Sequence, residues 1–206
     1  MSDRRSPLSI RKLLITGFDP FGGESRNPSR EAVMALPDSI GAWELTKLEV
    51  PTVFGRAAEA VLQAADALHP DAILCVGQAG GRKAITPEVV AINLREASIP
   101  DNAGNRPVNV PVVQDGPAAY FATLPVRAMV EAIRKVGIPA SLSYSAGAFV
   151  CNDLLYSLLH RYNGTDVQVG FIHIPYLPEQ AGDGVPSLSL EHATQGLTAA
   201  IEAFNL

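Results

Sequence analysis

The sequence predicts a single α/β domain with a mainly parallel, twisted sheet and helices on both faces. Short apolar segments typical of strands alternate along the chain with segments whose apolar residues recur at helical spacing. Residues 71–77 (DAILCVG) are almost wholly apolar, which is typical of a strand buried on both faces of a parallel sheet. The 206 residues suffice for one large domain, and 47% hydrophobic residues can supply its core.

The domain is expected to span residues 11–206, after a flexible leader at residues 1–10. Prolines, glycines and capping residues delimit the predicted elements. Strands are predicted at residues 11–16, 44–50, 71–77, 89–94, 140–145 and 167–172, and helices at about 28–36, 54–68, 117–136, 151–162 and 188–204. Apart from the strand at 89–94, residues 78–116 are predicted to be irregular, and a loop region of that length is usually functional.

Composition excludes several classes of protein. A formal net charge of −5 and the lack of a long Lys/Arg run argue against nucleic acid as a partner. No apolar stretch approaches the roughly 20 residues of a membrane span. Two cysteines are too few for a disulfide framework, and no export signal is visible, so we expect a cytoplasmic protein.

Cofactors are not expected either. The glycine-rich residues 77–83 follow a predicted strand, but they match neither the dinucleotide fingerprint nor a P-loop. The spacing of cysteines and histidines supports no metal site. The sequence therefore predicts chemistry performed by side chains alone.

Cys151 lies at the junction between a predicted strand and a predicted helix. It follows a turn of mostly small residues at 146–150 and opens the helix at 151–162. Free N–H groups and the positive end of the helix dipole gather in a first turn and favour a thiolate. Cys75, by contrast, lies within a strand and is predicted to be a buried, unreactive side chain. These positions predict a cysteine hydrolase with Cys151 as nucleophile.

A cysteine nucleophile needs an imidazole, and the chain has four histidines. His69 is predicted to cap a helix at the surface, and His192 to be solvated in the last helix. His160 lies nine residues beyond the cysteine, about 13 Å away at helical rise. His173 follows the strand at 167–172, at the sheet edge where parallel strands form active sites. We therefore expect His173 beside the thiol as its base.

A third group should orient the imidazole and set its tautomer. Glu88 enters the predicted strand at 89–94 from the glycine-rich region. Asp19, Asp101 and Asp115 compete with it, and residue chemistry alone leaves the choice among the four open.

Several motifs are similar to those of one peptidase family. They are ITGFDPFGG at 15–23 with NPS at 27–29, GQAGGR at 77–82, ITPE at 85–88, IPDNAGN at 99–105, DGPAAYFATLP at 115–125, SAGAFVCN at 145–152 and GFIHIPYLPEQ at 170–180. In their order and spacing the chain resembles the pyroglutamyl peptidase I family, from residue 12 to the C-terminus. The resemblance implies a cofactor-free, cytoplasmic cysteine peptidase that removes an N-terminal pyroglutamyl residue from peptides and forms a homo-oligomer, a tetramer or a dimer.

The resemblance also implies roles for individual residues. It assigns Cys151 as the nucleophile, His173 as the base and Glu88 as the orienting carboxylate, which settles the choice among the acidic candidates. It assigns substrate binding to residues around a pocket for the lactam ring: Phe18, Phe21, Asn27, Phe149 and Val150. Aromatic rings suit a flat, neutral ring that lacks an α-ammonium group.

Four positions depart from the family's usual residues. Val89 stands where Arg or Lys commonly follows the triad glutamate, Ala148 where Thr is common, and Asp153 where His is common. Ser98 stands where the family carries Arg before IPDN. Without that arginine, the oxyanion is expected to rest on backbone N–H groups near Cys151, or on Arg82 or Arg95.

Two other classes of function compete with a peptidase. A protein of the same fold could bind pyroglutamyl peptides with weak or lost turnover. The four departures from the family's residues would then mark the loss of catalysis. A nucleoside-binding enzyme on a similar sheet would have no use for a nucleophile at a helix start. The natural peptides and the preference at the second residue are left open by the sequence.

Overall fold

The computed structural model describes residues 10–204 and confirms a single α/β domain. The strands are β1 (Arg11–Phe18), β2 (Ser39–Ile40), β3 (Trp43–Val50), β4 (Ala72–Gln78), β5 (Thr86–Pro87), β6 (Val90–Ile92), β7 (Ala119–Phe121) and β8 (Gln168–Ile174). The helices are α1 (Pro28–Ala35), α2 (Arg56–Leu68), α3 (Val126–Lys135), α4 (Val150–Arg161) and α5 (Leu190–Glu202). The predicted leader lies almost wholly outside the described residues.

Within residues 10–204, six strands form the main sheet in the order β2-β3-β1-β4-β8-β5. The central pairs β3–β1, β1–β4 and β4–β8 are parallel, whereas the short outer strands β2 and β5 pair antiparallel to their neighbours. β6 and β7 form a separate two-stranded antiparallel sheet. The mainly parallel sheet is thus confirmed, although the predicted strand at 89–94 belongs to the small sheet.

Helices cover both faces of the main sheet, as predicted. Along β4, Leu74 and Val76 face a core shared with α1, α3 and α5, while Ile73 and Cys75 face a core shared with α2 and α4. Both cores are needed because parallel strands carry apolar side chains on each side. No helix within residues 10–204 is both long and apolar enough to cross a membrane.

The strand predicted at 140–145 does not form as a regular element. Its backbone runs beside residues 85–89 and makes isolated bridges at Ala140 and Ser143. Ser143 donates to Pro87 O (2.9 Å) and accepts from Val89 N (2.8 Å). Pro87 has no N–H to donate, so a continuous ladder cannot develop along this edge.

The helix predicted at 117–136 begins late, at Val126. Residues 119–121 instead pair with β6, and Pro125 is the residue that precedes the first helical turn. A proline disfavours helical geometry at the residue before it, which explains why the helix does not extend upstream.

Candidate active site

Cys151 and His173 both lie at the carboxyl edge of the parallel strands. Cys151 is the second residue of α4, and Gly77 of β4 lies opposite His173 of β8 in the strand register. A Cβ built on Gly77 would lie only 3.1 Å from Cys151 Sγ and 2.8 Å from the ring of Phe171. The sulfur therefore sits on the face of the sheet that carries Phe171 and, two residues on, His173.

His173 is the buried partner of Glu88. Its Nδ1 lies 2.7 Å from Glu88 Oε1, and both side chains are buried. With Nδ1–H donating to the carboxylate, Nε2 is left as the acceptor that a general base requires. The structure extends β8 to Ile174, so His173 lies inside the strand and not after it as predicted.

Glu88 is held in place by the elements around it. Its backbone N–H donates to Phe171 O (2.9 Å), which joins the segment after β5 to β8. Arg82 Nη1 donates to the same Glu88 Oε1 (2.8 Å) and also contacts Thr86. Arg82 therefore contacts the carboxylate. The sequence suggests it, with Arg95, only as an alternative to backbone N–H groups at the oxyanion.

Electrostatics keeps Glu88 charged. Burial raises the pKa of Glu88, but the hydrogen bond and charge of His173 and the charge of Arg82 outweigh it, so the net pKa is lowered. Burial is the main cause that lowers the pKa of His173, assisted by Arg82, although Glu88 opposes the shift. At neutral pH the site therefore holds a carboxylate and a neutral imidazole.

Cys151 does not carry the standing thiolate that the helix start predicted. Burial first, and then the charge of Glu88, raise the pKa of Cys151 to about 12, although Arg82 and the backbone N–H of Cys151 lower it. The helix terminus is thus outweighed by desolvation and a nearby carboxylate. The resting site pairs a thiol with a neutral base.

The other cysteine and histidines lie elsewhere, as predicted. Cys75 is completely buried in β4, and burial raises the pKa of its thiol to about 12. His69 is the exposed, left-handed C-cap of α2, and His192 is exposed in α5. His160 accepts from or donates to the Tyr120 hydroxyl (2.9 Å) at the far end of α4.

Only Glu88 of the four acidic candidates contacts His173 among the described residues. Asp19 accepts from Thr52 N (2.6 Å), and Asp101 holds its own loop together by accepting backbone N–H groups, including that of Ala103. Asp115 is exposed in a left-handed turn. The packing of the segment after β5 on β8 places Glu88, and none of the three aspartates, against His173.

Aromatic rings gather beside the start of α4. Phe149, the residue before the first turn, lies 6.2 Å from Phe21 and 5.2 Å from Phe54, measured between ring centroids. Phe21 and Phe149 are half-buried, so part of each ring is accessible. The sequence predicts no role for Phe54 at the site, because the pattern there indicates only the start of a helix.

The remaining predicted pocket residues are more deeply placed. Phe18 is 2% exposed and packs on Phe171, and Val150 is fully buried in the core beneath α4. Asn27 caps α1 by accepting from Ser29 N, and its amide donates to Asp19 O (2.9 Å). These side chains shape the loops around the site, whereas Phe21 and Phe149 present ring surface.

The four departures occupy distinct environments. Asp153 is fully buried and paired with Arg95 (Nε to Oδ1, 2.6 Å). Ser98 is exposed. Val89 and Ala148 are half-buried, and Ala148 O accepts from the backbone N–H of Glu96 (2.9 Å). Among residues 10–204, no group of three or more His, Cys, Asp or Glu side chains is arranged to hold a metal ion.

A thiol, an imidazole and a buried carboxylate at the carboxyl edge of a parallel sheet are the group set of a cysteine hydrolase. Residues 11–205 match the family model described as pyroglutamyl peptidase. The chain belongs to this family.

Similar proteins cover nearly the whole chain. A pyrrolidone-carboxylate peptidase of Levilactobacillus brevis is 56% identical over 196 residues, 93% of this chain and 96% of the relative. The crystal structure of Bacillus amyloliquefaciens pyroglutamyl peptidase I is 51% identical, with a TM-score of 0.90 over 94% of this chain and 96% of that one. The pyrrolidone carboxyl peptidase of Thermococcus litoralis is 36% identical, with a TM-score of 0.89, and covers 94% and 93%.

Proposed function

We propose that this protein is a cysteine exopeptidase that hydrolyses the N-terminal pyroglutamyl residue from peptides through a thioester. The observation that carries this proposal is the hydrogen bond of 2.7 Å between Glu88 and His173. His173 lies on β8, opposite Gly77 of β4, and Cys151 Sγ lies beside Gly77. Membership of the pyroglutamyl peptidase family supports the substrate class.

The resting protonation states define the first step. Neutral His173 takes the Cys151 proton at Nε2 as the sulfur attacks the pyroglutamyl carbonyl, so the thiol needs no prior ionisation. The Glu88 carboxylate, hydrogen-bonded to His173 Nδ1, stabilises the imidazolium that forms. Backbone N–H groups in the first turn of α4 receive the oxyanion.

The second half of the reaction returns the enzyme to its resting state. The imidazolium gives its proton to the leaving amine as the C–N bond breaks, which leaves a pyroglutamyl thioester on Cys151. His173 then deprotonates a water molecule that attacks the thioester, and the thiolate leaves and regains its proton. Free pyroglutamate and a shortened peptide are the products.

We propose that the lactam ring lies against Phe21 and Phe149, in the pocket that Phe18, Asn27 and Val150 help to shape. The two accessible rings are 6.2 Å apart between centroids, and they line the approach to α4. A ring with no charge at its nitrogen suits an aromatic surface without a carboxylate.

Assembly and location are also proposals. We propose a homo-oligomer, a tetramer or a dimer, because large apolar side chains such as Phe121 (73% exposed) and Val108 (64% exposed) lie on the surface. The two free cysteines suit a reducing cytoplasm. Sedimentation of the native protein measures the assembly directly.

Turnover of a pyroglutamyl coumarin amide tests the function. Cys151→Ala and His173→Ala are each expected to abolish nearly all turnover, with losses that reach roughly 10⁶-fold when triad members act as one unit. Cys75→Ala is the matched control and should keep wild-type turnover. A wild-type chain that binds the substrate without hydrolysing it is instead a pyroglutamyl-peptide binder, and a His173→Ala enzyme with a tenth of wild-type activity contradicts the scheme.

A further inference from the structure

Asp153 is a buried charge that the proposed triad does not use. It lies two residues beyond Cys151 in α4 and has no exposed surface. Burial of an ionised carboxylate is costly unless it is paired and hydrogen-bonded. Each of its two oxygens has a partner: Oδ1 accepts from Arg95 Nε (2.6 Å), and Oδ2 accepts from Gly55 N (2.7 Å).

Both partners lead to the aromatic rings at the site. Gly55 directly follows Phe54, and the ring of Phe54 packs edge-on against Phe149. Arg95 precedes Glu96, whose N–H donates to Ala148 O (2.9 Å), the residue before Phe149. Asp153 therefore ties together, through its two oxygens, the two segments that hold Phe149 in place.

Gly55 shows why this contact needs a fixed acceptor. Its φ of +74° places it in the left-handed region, and as a glycine it has no side chain of its own with which to cap α2. The hydrogen bond to Asp153 satisfies the N–H of Gly55, and a second hydrogen bond, from Phe54 N to Asp101 Oδ2 (3.0 Å), holds the preceding residue. Asp153 therefore shares the placement of Phe54 with Asp101. The positive charge of Arg95 offsets the cost of burying the Asp153 carboxylate, which accepts the hydrogen bond of this turn. The Arg95 side chain is 24% exposed.

We propose that Asp153 and Arg95 form a positioning pair that sets the aromatic wall of the lactam pocket, Phe54 against Phe149, and thereby the affinity for the pyroglutamyl ring. This inference rests on the proposed function. It gives Asp153 a role at a position where the family commonly has His. It also argues against Arg95 as a donor to the oxyanion, because the charge and the Nε–H of Arg95 are directed at Asp153.

The test measures ring binding without turnover. 2-Pyrrolidone, a bare lactam ring, is titrated against the rate at which iodoacetamide alkylates Cys151, and its protection gives a dissociation constant. The full-length variants are Asp153→Asn, Arg95→Gln and the double variant, in which neither residue is charged. Tyr156→Phe is the matched control, because it removes a buried hydrogen bond on the same helix (to Pro117 O, 2.6 Å) far along from the pocket.

Each single variant is expected to raise the dissociation constant of 2-pyrrolidone, and the KM of the coumarin substrate, about tenfold because the ring is held loosely. Unprotected alkylation should stay within about twofold of wild type, since the thiol and His173 are untouched. The double variant should match the single variants and not exceed them, because the two residues act as one unit. Tyr156→Phe should lower Tm alone.

Three outcomes decide the proposal. If Asp153→Asn lowers Tm but 2-pyrrolidone protects it as well as wild type, the pair is only structural and the inference is overturned. If Asp153→Asn does not fold, the neutral double variant carries the same comparison with the same two readouts. If 2-pyrrolidone fails to protect the wild-type thiol and the coumarin substrate is not hydrolysed, the proposed function itself fails, and the pocket with it.

Discussion

Single residues show how the site sets its protonation states. Arg82 contacts Glu88 and lowers the pKa of both Glu88 and His173 by its charge. Burial lowers the pKa of the imidazole but raises that of the carboxyl group. The hydrogen bond and charge of His173 act first to lower the pKa of Glu88, and the charge of Arg82 adds to them, so a carboxylate can stand beside a neutral base.

Arg82→Gln is expected to shift the acid limb of the kcat/KM profile to higher pH. The lowered pKa of His173 places that limb below pH 6.5 in the wild type. Loss of the positive charge makes protonation of the imidazole easier, so the pKa of His173 rises and activity is lost earlier as pH falls. Arg82→Lys retains the charge and should keep the limb near its wild-type position; an unmoved limb in Arg82→Gln contradicts the assignment.

Ser98→Ala is expected to change kcat by less than about tenfold, under ~1.4 kcal/mol of barrier. Ser98 is exposed, and a serine hydroxyl is no substitute for a fixed cation at the oxyanion. Steady-state kinetics with circular dichroism as the fold control measures the effect. A hundredfold loss in a folded variant would make Ser98 a catalytic donor and refute the backbone account.

At the scale of elements, the site depends on how closely α4 approaches β4. The helix start can reach the sheet because Gly77 has no side chain, and the sulfur occupies the space beside it. Asn152 holds the same turn from the other side by accepting from Ile92 N (2.9 Å) and donating to Ile92 O (2.9 Å) and Leu94 O (3.0 Å). Its amide completes the edge of β6 and so ties the strand segment after Glu88 to the helix of Cys151.

Gly77→Ala is expected to lower kcat/KM about a hundredfold, because a shift of about 1 Å in a reacting group can cost that much. The new methyl would lie 3.1 Å from Cys151 Sγ and displace it. Gly170→Ala is the matched control, since its methyl would meet Leu124 at 2.8 Å on the opposite face of the sheet. Both variants should be destabilised, and equal activity loss in the two would disprove a local effect.

At the scale of the whole molecule, only one of the two hydrophobic cores adjoins the proposed catalytic groups. The core shared with α1, α3 and α5 reaches Trp43 at the start of β3, where Phe204 packs edge-on at 5.8 Å between centroids. The proposed catalytic groups lie on the other face, against α2 and α4. Damage to the first core should therefore lower stability before it alters catalysis.

Phe204→Ala is expected to destabilise the protein by about 3 kcal/mol, which corresponds to a Tm lower by roughly 6–12 °C. Trp43 is the only tryptophan and is 4% exposed, so its fluorescence reports unfolding directly. Below the transition, kcat/KM should equal that of the wild type. Ile10→Ala, at a side chain 75% exposed, is the control with little change; an activity loss in folded Phe204→Ala would show that the two cores are coupled.

The sequence by itself determined the class of fold, the helix that starts within one residue of Cys151 and the strand that leads to His173. These follow from local patterns, namely apolar periodicity, turn residues and strand-to-helix junctions, which the chain expresses over a few residues. The family motifs added Glu88, which residue chemistry could not choose over three aspartates.

Only the tertiary structure decided the rest, because it depends on groups distant in the chain. Desolvation and the charge of Glu88 override the helix start at Cys151 and keep a thiol there. Pro87 prevents residues 140–145 from completing a strand, and Arg82 donates a hydrogen bond to Glu88. Asp153 pairs with Arg95, which lies 58 residues away in the chain. A pattern within a short sequence window cannot predict such a pair.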